Sequence, residues 1–162
     1  MLDSLEQAVH RNSPIFMKKL LLTLSALICA GQLLAADATW MTDLTKAQAK
    51  AKEEKKLLFV EFTGSDWCPP CKKLKADILS SADFAKYAKE NLVLVELDFP
   101  RAKEQSADLK ETNKELAKKF GIRGYPTVIL FDGEGKELNR QVGFGGGSPA
   151  DYIAKLDALK NK

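Results

Sequence analysis

The chain has 162 residues, of which 45% are hydrophobic and 29% charged, with 10 Gly and 6 Pro; this suits one packed globular domain and excludes a disordered or fibrous chain. The formal charge is only +3, and lysines are interleaved with acids, as in Lys52-Glu53-Glu54-Lys55-Lys56. That pattern is a solvated surface and excludes the one-sided basic face of a nucleic-acid-binding protein.

From Met17 the sequence reads Met17-Lys18-Lys19, then a largely apolar run over residues 20–30, then mostly small residues through Ala35 and Ala36. These are the charged, apolar and cleavage regions of a secretory signal peptide. The apolar run falls short of the about 20 residues that span a bilayer, so removal after Ala36 or Ala38 is expected. Residues 1–36 are therefore assigned to an N-terminal extension and signal peptide, with translation starting at Met17, and residues 37–162 to one exported domain. Cys29 follows the bulky Leu27 and Ile28, which argues against lipid attachment, and it leaves with the signal segment. His10, the only histidine, precedes that segment.

Thr42 or Asp43 can cap a helix to about Lys55, with Leu44, Ala47 and Ala51 on one side. Leu57–Thr63 is a nearly continuous apolar run, as expected for a central strand covered on both faces. Gly64-Ser65-Asp66-Trp67 breaks it, and a helix over residues 68–79 follows, with Pro69 and Pro70 tolerated in its first turn. Ser80 or Ser81 can cap a helix over residues 82–90, and Leu92–Asp98 is again strand-like.

Residues 100–120 read as one long polar helix with Leu109, Leu116 and Phe120 as its apolar contacts, ended by Gly121. Thr127–Phe131 and Glu137–Val142 are strands joined by a glycine-containing hairpin. A final helix over residues 148–159 turns Tyr152, Ile153, Leu156 and Leu159 to the core. The right-handed crossover makes the first two strands parallel, and the hairpin supplies antiparallel ones.

Two cysteines separated by two residues can close or open a small disulfide ring with little backbone movement. At a helix start, unpaired N–H groups and the helix dipole favour an anion, so Cys68 is expected to be the exposed attacking thiolate and Cys71 the resolving thiol within the helix. A zinc site needs a second pair of ligands, and residues 37–162 hold neither another cysteine nor a histidine; no metal and no cofactor is expected.

Trp67-Cys68-Pro69-Pro70-Cys71-Lys72, followed by Phe120-Gly121-Ile122-Arg123-Gly124-Tyr125-Pro126-Thr127, resembles the thioredoxin family over about residues 57–159. The resemblance implies a thioredoxin-like α/β fold with a central mixed sheet flanked by helices. It implies a cis Pro126 facing the cysteines, with Tyr125 and Thr127 lining a substrate groove; Trp67 and Phe144 can add apolar contact. Glu61, with one residue allowed for the longer Gly64-Ser65-Asp66 loop, matches the family's buried acid, which assists proton transfer to and from the resolving thiol. Glu96 takes the place of a lysine. The alternative is a Glu61 that points to solvent at its strand end.

The pair Pro69-Pro70 replaces the family's Gly-Pro, and the insertion over residues 100–120 resembles bacterial exported thioredoxin-like proteins. It is either a docking place for a partner or a solvated helix. The activity implied is that of a protein-disulfide oxidoreductase, monomeric and periplasmic, acting on protein thiols and disulfides and fed by a membrane electron donor. Reductase, oxidant and isomerase all stay open, with reductase favoured. The alternative function is a peptide-binding or assembly module without turnover.

Overall fold

The computed structural model describes residues 39–160, so the expected extension, signal peptide and cleavage points lie outside the described residues. Five strands form one sheet in the order β1-β3-β2-β4-β5: β1 (Trp40–Met41), β2 (Leu57–Thr63), β3 (Leu92–Asp98), β4 (Thr127–Phe131) and β5 (Glu137–Val142). β1, β3 and β2 run parallel, whereas β4 is antiparallel to both β2 and β5. The five helical segments are α1 (Leu44–Glu54), α2 (Pro69–Leu74, continued by a π-helical turn over Lys75–Leu79), α3 (Ala82–Asn91), α4 (Ala107–Lys119) and α5 (Pro149–Lys160). This is the mixed, helix-flanked sheet that the sequence implies.

Strand alternation sorts the core. Leu57 and Phe59 of β2, Leu92 and Leu94 of β3, and Val128 and Leu130 of β4 pack with α2, α3 and α5. The intervening Leu58, Val60, Phe62, Val93, Val95 and Leu97 pack with α1 and with Leu116 and Ala117 of α4. Because side chains alternate along a strand, Glu61 and Thr63 continue the row of Leu57 and Phe59, and Glu96 and Asp98 continue that of Leu92 and Leu94. All four polar residues therefore stand on the α2 side of the sheet. Truncating a fully buried ring such as Phe59 in this core costs about 3–5 kcal/mol.

Local signals set most boundaries. The Asp43 carboxylate accepts the Lys46 N–H at 3.0 Å and starts α1; Ser81, not Ser80, caps α3 by accepting the Phe84 N–H at 3.2 Å. Gly121, at φ 63°, follows α4 and turns the chain where a side chain would be strained.

Three features depart from the sequence reading. β1 is an additional edge strand of two residues, too short to show a period. The helix expected over residues 100–120 begins only at Ala107, with Ser106 as its cap. Residues 101–103 instead turn round the Asp66 carboxylate, which accepts their three successive N–H groups at 2.6–3.1 Å, and Leu116 and Phe120, but not Leu109, reach the core. Finally, the cysteine helix is not uniformly α-helical, since the Ser80 N–H reaches back five residues to the Lys75 carbonyl.

Candidate active site

β2 leads directly to the cysteines. After Thr63 the chain turns through Gly64, whose carbonyl accepts the N–H groups of both Trp67 and Cys68. Cys68 is the cap residue of α2, and Pro69 and Pro70 fill the first two helical positions. Proline carries no N–H, so the first donor of the helix is Cys71, whose N–H meets the Cys68 Sγ at 3.3 Å. Cys68 and Cys71 are joined in a disulfide, with their Cα atoms 5.3 Å apart.

The expectation of an exposed Cys68 is corrected: its exposure is 2%, and that of Cys71 is 1%. The bond to Cys71 draws the Cys68 sulfur in over the helix start.

Trp67 ties the two sequence motifs together. Its ring meets that of Tyr125 edge-on at 5.8 Å, and Tyr125 in turn lies 5.2 Å from the Phe99 ring. The Trp67 indole N–H donates to the Phe99 carbonyl at 2.8 Å. The Tyr125-Pro126 peptide bond is cis. Pro126 is buried, and the Gly143 N–H donates to its carbonyl at 2.7 Å, fastening the β5 end to this loop. Thr127 is 1% exposed, with its hydroxyl donating to the Gly124 carbonyl at 2.8 Å, so it braces the loop from inside. Phe144 packs against the α2-side core.

Glu61 does not point to solvent: it is 1% exposed. It is paired in register with Glu96 on the parallel β3. Burial above all, and then the charge of Glu96, push its carboxyl up to about 7, against the opposing pull of Lys75 and a hydrogen bond with Thr63. The Lys75 ammonium donates to Glu96 Oε2 at 3.4 Å. A pocket of about 280 Å³ is lined by Thr63, Ser65, Cys71, Lys75 and Glu96, the strand neighbour of Glu61.

The sequence reading missed the polar frame of the loop. Asp98 accepts the Ser65 N–H at 2.9 Å and the Ser65 hydroxyl at 2.6 Å, and Asp66 holds residues 101–103. Although burial opposes it, the N–H groups of Ala102, Arg101 and Lys103 hold the Asp66 carboxyl below its usual value. The one available signal was the acid within the longer loop, Asp66, facing a segment that starts with Pro100.

A thioredoxin-like domain family matches residues 44–160. The chain is 37% identical over 127 residues to the disulfide bond reductase DsbH of Chlamydia pneumoniae, covering 78% of this chain and 75% of that one. It is 33% identical over 126 residues to the thioredoxin-related protein DsbJ of the same organism, covering 74% of this chain but only 36% of DsbJ, so it spans about a third of that relative. A solved DsbH oxidoreductase structure superposes with a TM-score of 0.70 at 29% identity, over 96% of this chain and 94% of that one. The chain belongs to the thioredoxin-like family and is a thiol-disulfide oxidoreductase.

Proposed function

We propose that the chain is an exported, periplasmic reductase of protein disulfides that works through the Cys68/Cys71 pair, as a monomeric domain of residues 37–162 freed by cleavage after Ala36 or Ala38. The observation that carries this is the Cys68–Cys71 disulfide at the start of α2, with Glu61 buried on the sheet face that α2 covers. In the reduced protein the Cys68 thiolate attacks one sulfur of a substrate disulfide, forming a mixed disulfide and releasing one substrate thiolate. The Cys71 thiol passes its proton to the Glu61 carboxylate, and its sulfur attacks Cys68 Sγ. The Cys68–Cys71 bond forms, the second substrate thiolate leaves and takes up a proton, and two electrons have passed to the substrate. Trp67 and Tyr125 give the substrate chain apolar contact beside Pro126, with Thr127 holding that loop.

Reduction is favoured over oxidation on two grounds. The relative DsbH is named a disulfide bond reductase. In addition, the two prolines leave a single N–H for the Cys68 thiolate in the first turn, and a weakly stabilised reduced form makes a stronger reductant. A turnover leaves the pair oxidised, so a membrane protein that delivers electrons across the bilayer is the partner class required.

The test is the equilibrium potential of the Cys68/Cys71 couple in glutathione buffers, together with insulin reduction by the parent and by Cys68→Ser. A potential near the about −270 mV of thioredoxin supports the reductase; one near the about −120 mV of strong oxidants of this fold reverses the direction. Absence of turnover would leave a binding module.

A further inference from the structure

The segment between β3 and α4 places a cation on the tryptophan that precedes the attacking cysteine. The Arg101 guanidinium lies over the Trp67 ring, its carbon 3.9 Å from the ring centroid. Trp67 cannot yield, because its N–H is held by Phe99 and its edge by Tyr125. Arg101 is nonetheless exposed, and it has no carboxylate partner among the described residues.

The guanidinium is not needed to build the turn. Asp66 holds residues 101–103 through backbone N–H groups, which any residue other than proline offers. Stacking uses the flat face of the guanidinium and leaves its edge donors free to grip a carboxylate with two parallel hydrogen bonds. A side chain laid on a fixed ring has already lost much of its rotamer freedom, so a ligand that binds it meets a smaller ordering cost.

Two further exposed cations belong to the segments that frame Trp67. The Lys103 ammonium is exposed and among the described residues donates to the Ser65 hydroxyl, at 3.0 Å. Arg123, on the loop that leads to Tyr125 and Pro126, is exposed and makes no ion pair among the described residues. Three acids stand against these three cations: Asp66, whose oxygens are taken by the turn, Asp98, whose oxygens are taken by the Ser65 N–H and hydroxyl, and Glu104, exposed at the far end of the turn.

We infer that Arg101 is a specificity-determining residue that selects disulfides flanked by acidic residues, by gripping an Asp or Glu carboxylate of the substrate chain beside the Trp67 ring. This rests on the reductase reading above and names the substrate class for the same site.

The experiment uses three matched peptides, each with one internal disulfide, flanked by two Glu, two Gln or two Lys, and measures kcat/KM with the reduced full chain. At low salt the acidic peptide is expected to exceed the basic one by about tenfold, with the difference collapsing near about 0.5 M salt. Arg101→Lys, which keeps the charge but neither the flat stack nor the two-pronged grip, should lower the ratio in part, Arg101→Gln should bring it towards one, and Arg101→Glu should invert it. Inversion is a result that a merely structural role would not give, and if Arg101→Glu does not fold, Arg101→Gln supplies the test. Equal values for the three peptides in the parent, or an unchanged ratio in the folded variants, would overturn the inference while leaving the reductase standing. Failure to reduce any of the peptides, with insulin also left intact, would remove the reductase and the inference with it.

Discussion

Glu61 and Glu96 stand side by side on parallel neighbouring strands, in register and on the face of the sheet covered by the cysteine helix. Burial and the neighbouring Glu96 charge raise the Glu61 carboxyl, which holds its proton to about pH 7. The consequence for stability has a definite sign. Since the folded value lies above the ordinary 4.5, the stability present below pH 4.5 is lost as the pH rises towards 7 and stays lost above it. The loss is about 3 kcal/mol. Glu61→Gln should remove this slope, so urea midpoints of the oxidised proteins should converge near pH 4.5 and favour the variant at pH 8.

The same substitution bears on chemistry. Glu61→Gln should slow release of the mixed disulfide near neutral pH and erase the inflection near pH 7, followed by quenched-flow trapping of a labelled peptide. Equal rates for parent and variant across the range would take Glu61 out of the reaction.

Lys75 pulls the Glu61 carboxyl down and Glu96 pushes it up. Lys75→Met is therefore expected to move the inflection of the release rate to higher pH, and Glu96→Gln to lower pH. A common shift in one direction would show that the pair acts through structure alone.

Cys68→Ser should abolish exchange, whereas Cys71→Ser should accumulate substrate adducts on Cys68. Mass spectrometry of trapped complexes checks this, and adducts found chiefly on Cys71 would reverse the roles.

Pro70→Ala places a new N–H in the first turn of α2, beside the Cys71 N–H that now meets the Cys68 sulfur. A hydrogen bond to a charged group contributes about 1.5 kcal/mol, so the potential should rise by about 30 mV, making a weaker reductant. Redox titration in glutathione buffers reads the shift directly.

A methyl group on Gly64 would lie 2.5 Å from the Trp67 ring. The ring, locked between Arg101 and Tyr125, has nowhere near to go. Gly64→Ala should therefore release the Trp67 N–H from Phe99, with a change in near-ultraviolet circular dichroism and a loss of about 1–3 kcal/mol in stability.

How much of this was legible in the sequence depended on whether the signal was local. The strands Leu57–Thr63 and Leu92–Asp98 and the hairpin strands are written in short-range pattern, and the structure has them with the same bounds, while of the two serines offered as the cap it takes Ser81. The alternation that turns Glu61 inward was legible only as one of two choices, because a strand buried on both faces shows no period that tells one face from the other. The helix expected to start at Pro100 failed for the opposite reason. Its first turn is taken by Asp66, 35 residues earlier in the chain, and a carboxylate that gathers three N–H groups outcompetes helical propensity. The stacking of Arg101 on Trp67 depends on that same turn and had no local trace.

The π-helical turn at Lys75–Leu79 bears on how the chain tolerates changes in length. A backbone bond reaching five residues back is what one surplus residue produces when neither end of a helix can give way. Here the start is pinned by the disulfide, and Leu74, Ile78 and Leu79 are embedded in the core. The extra residue is stored as a local widening, so the cysteine end and the core end keep their separate registers. Removal of a single residue, such as Ala76, is expected to let the coil rewind as plain α-helix while the cysteines and the core end keep their places.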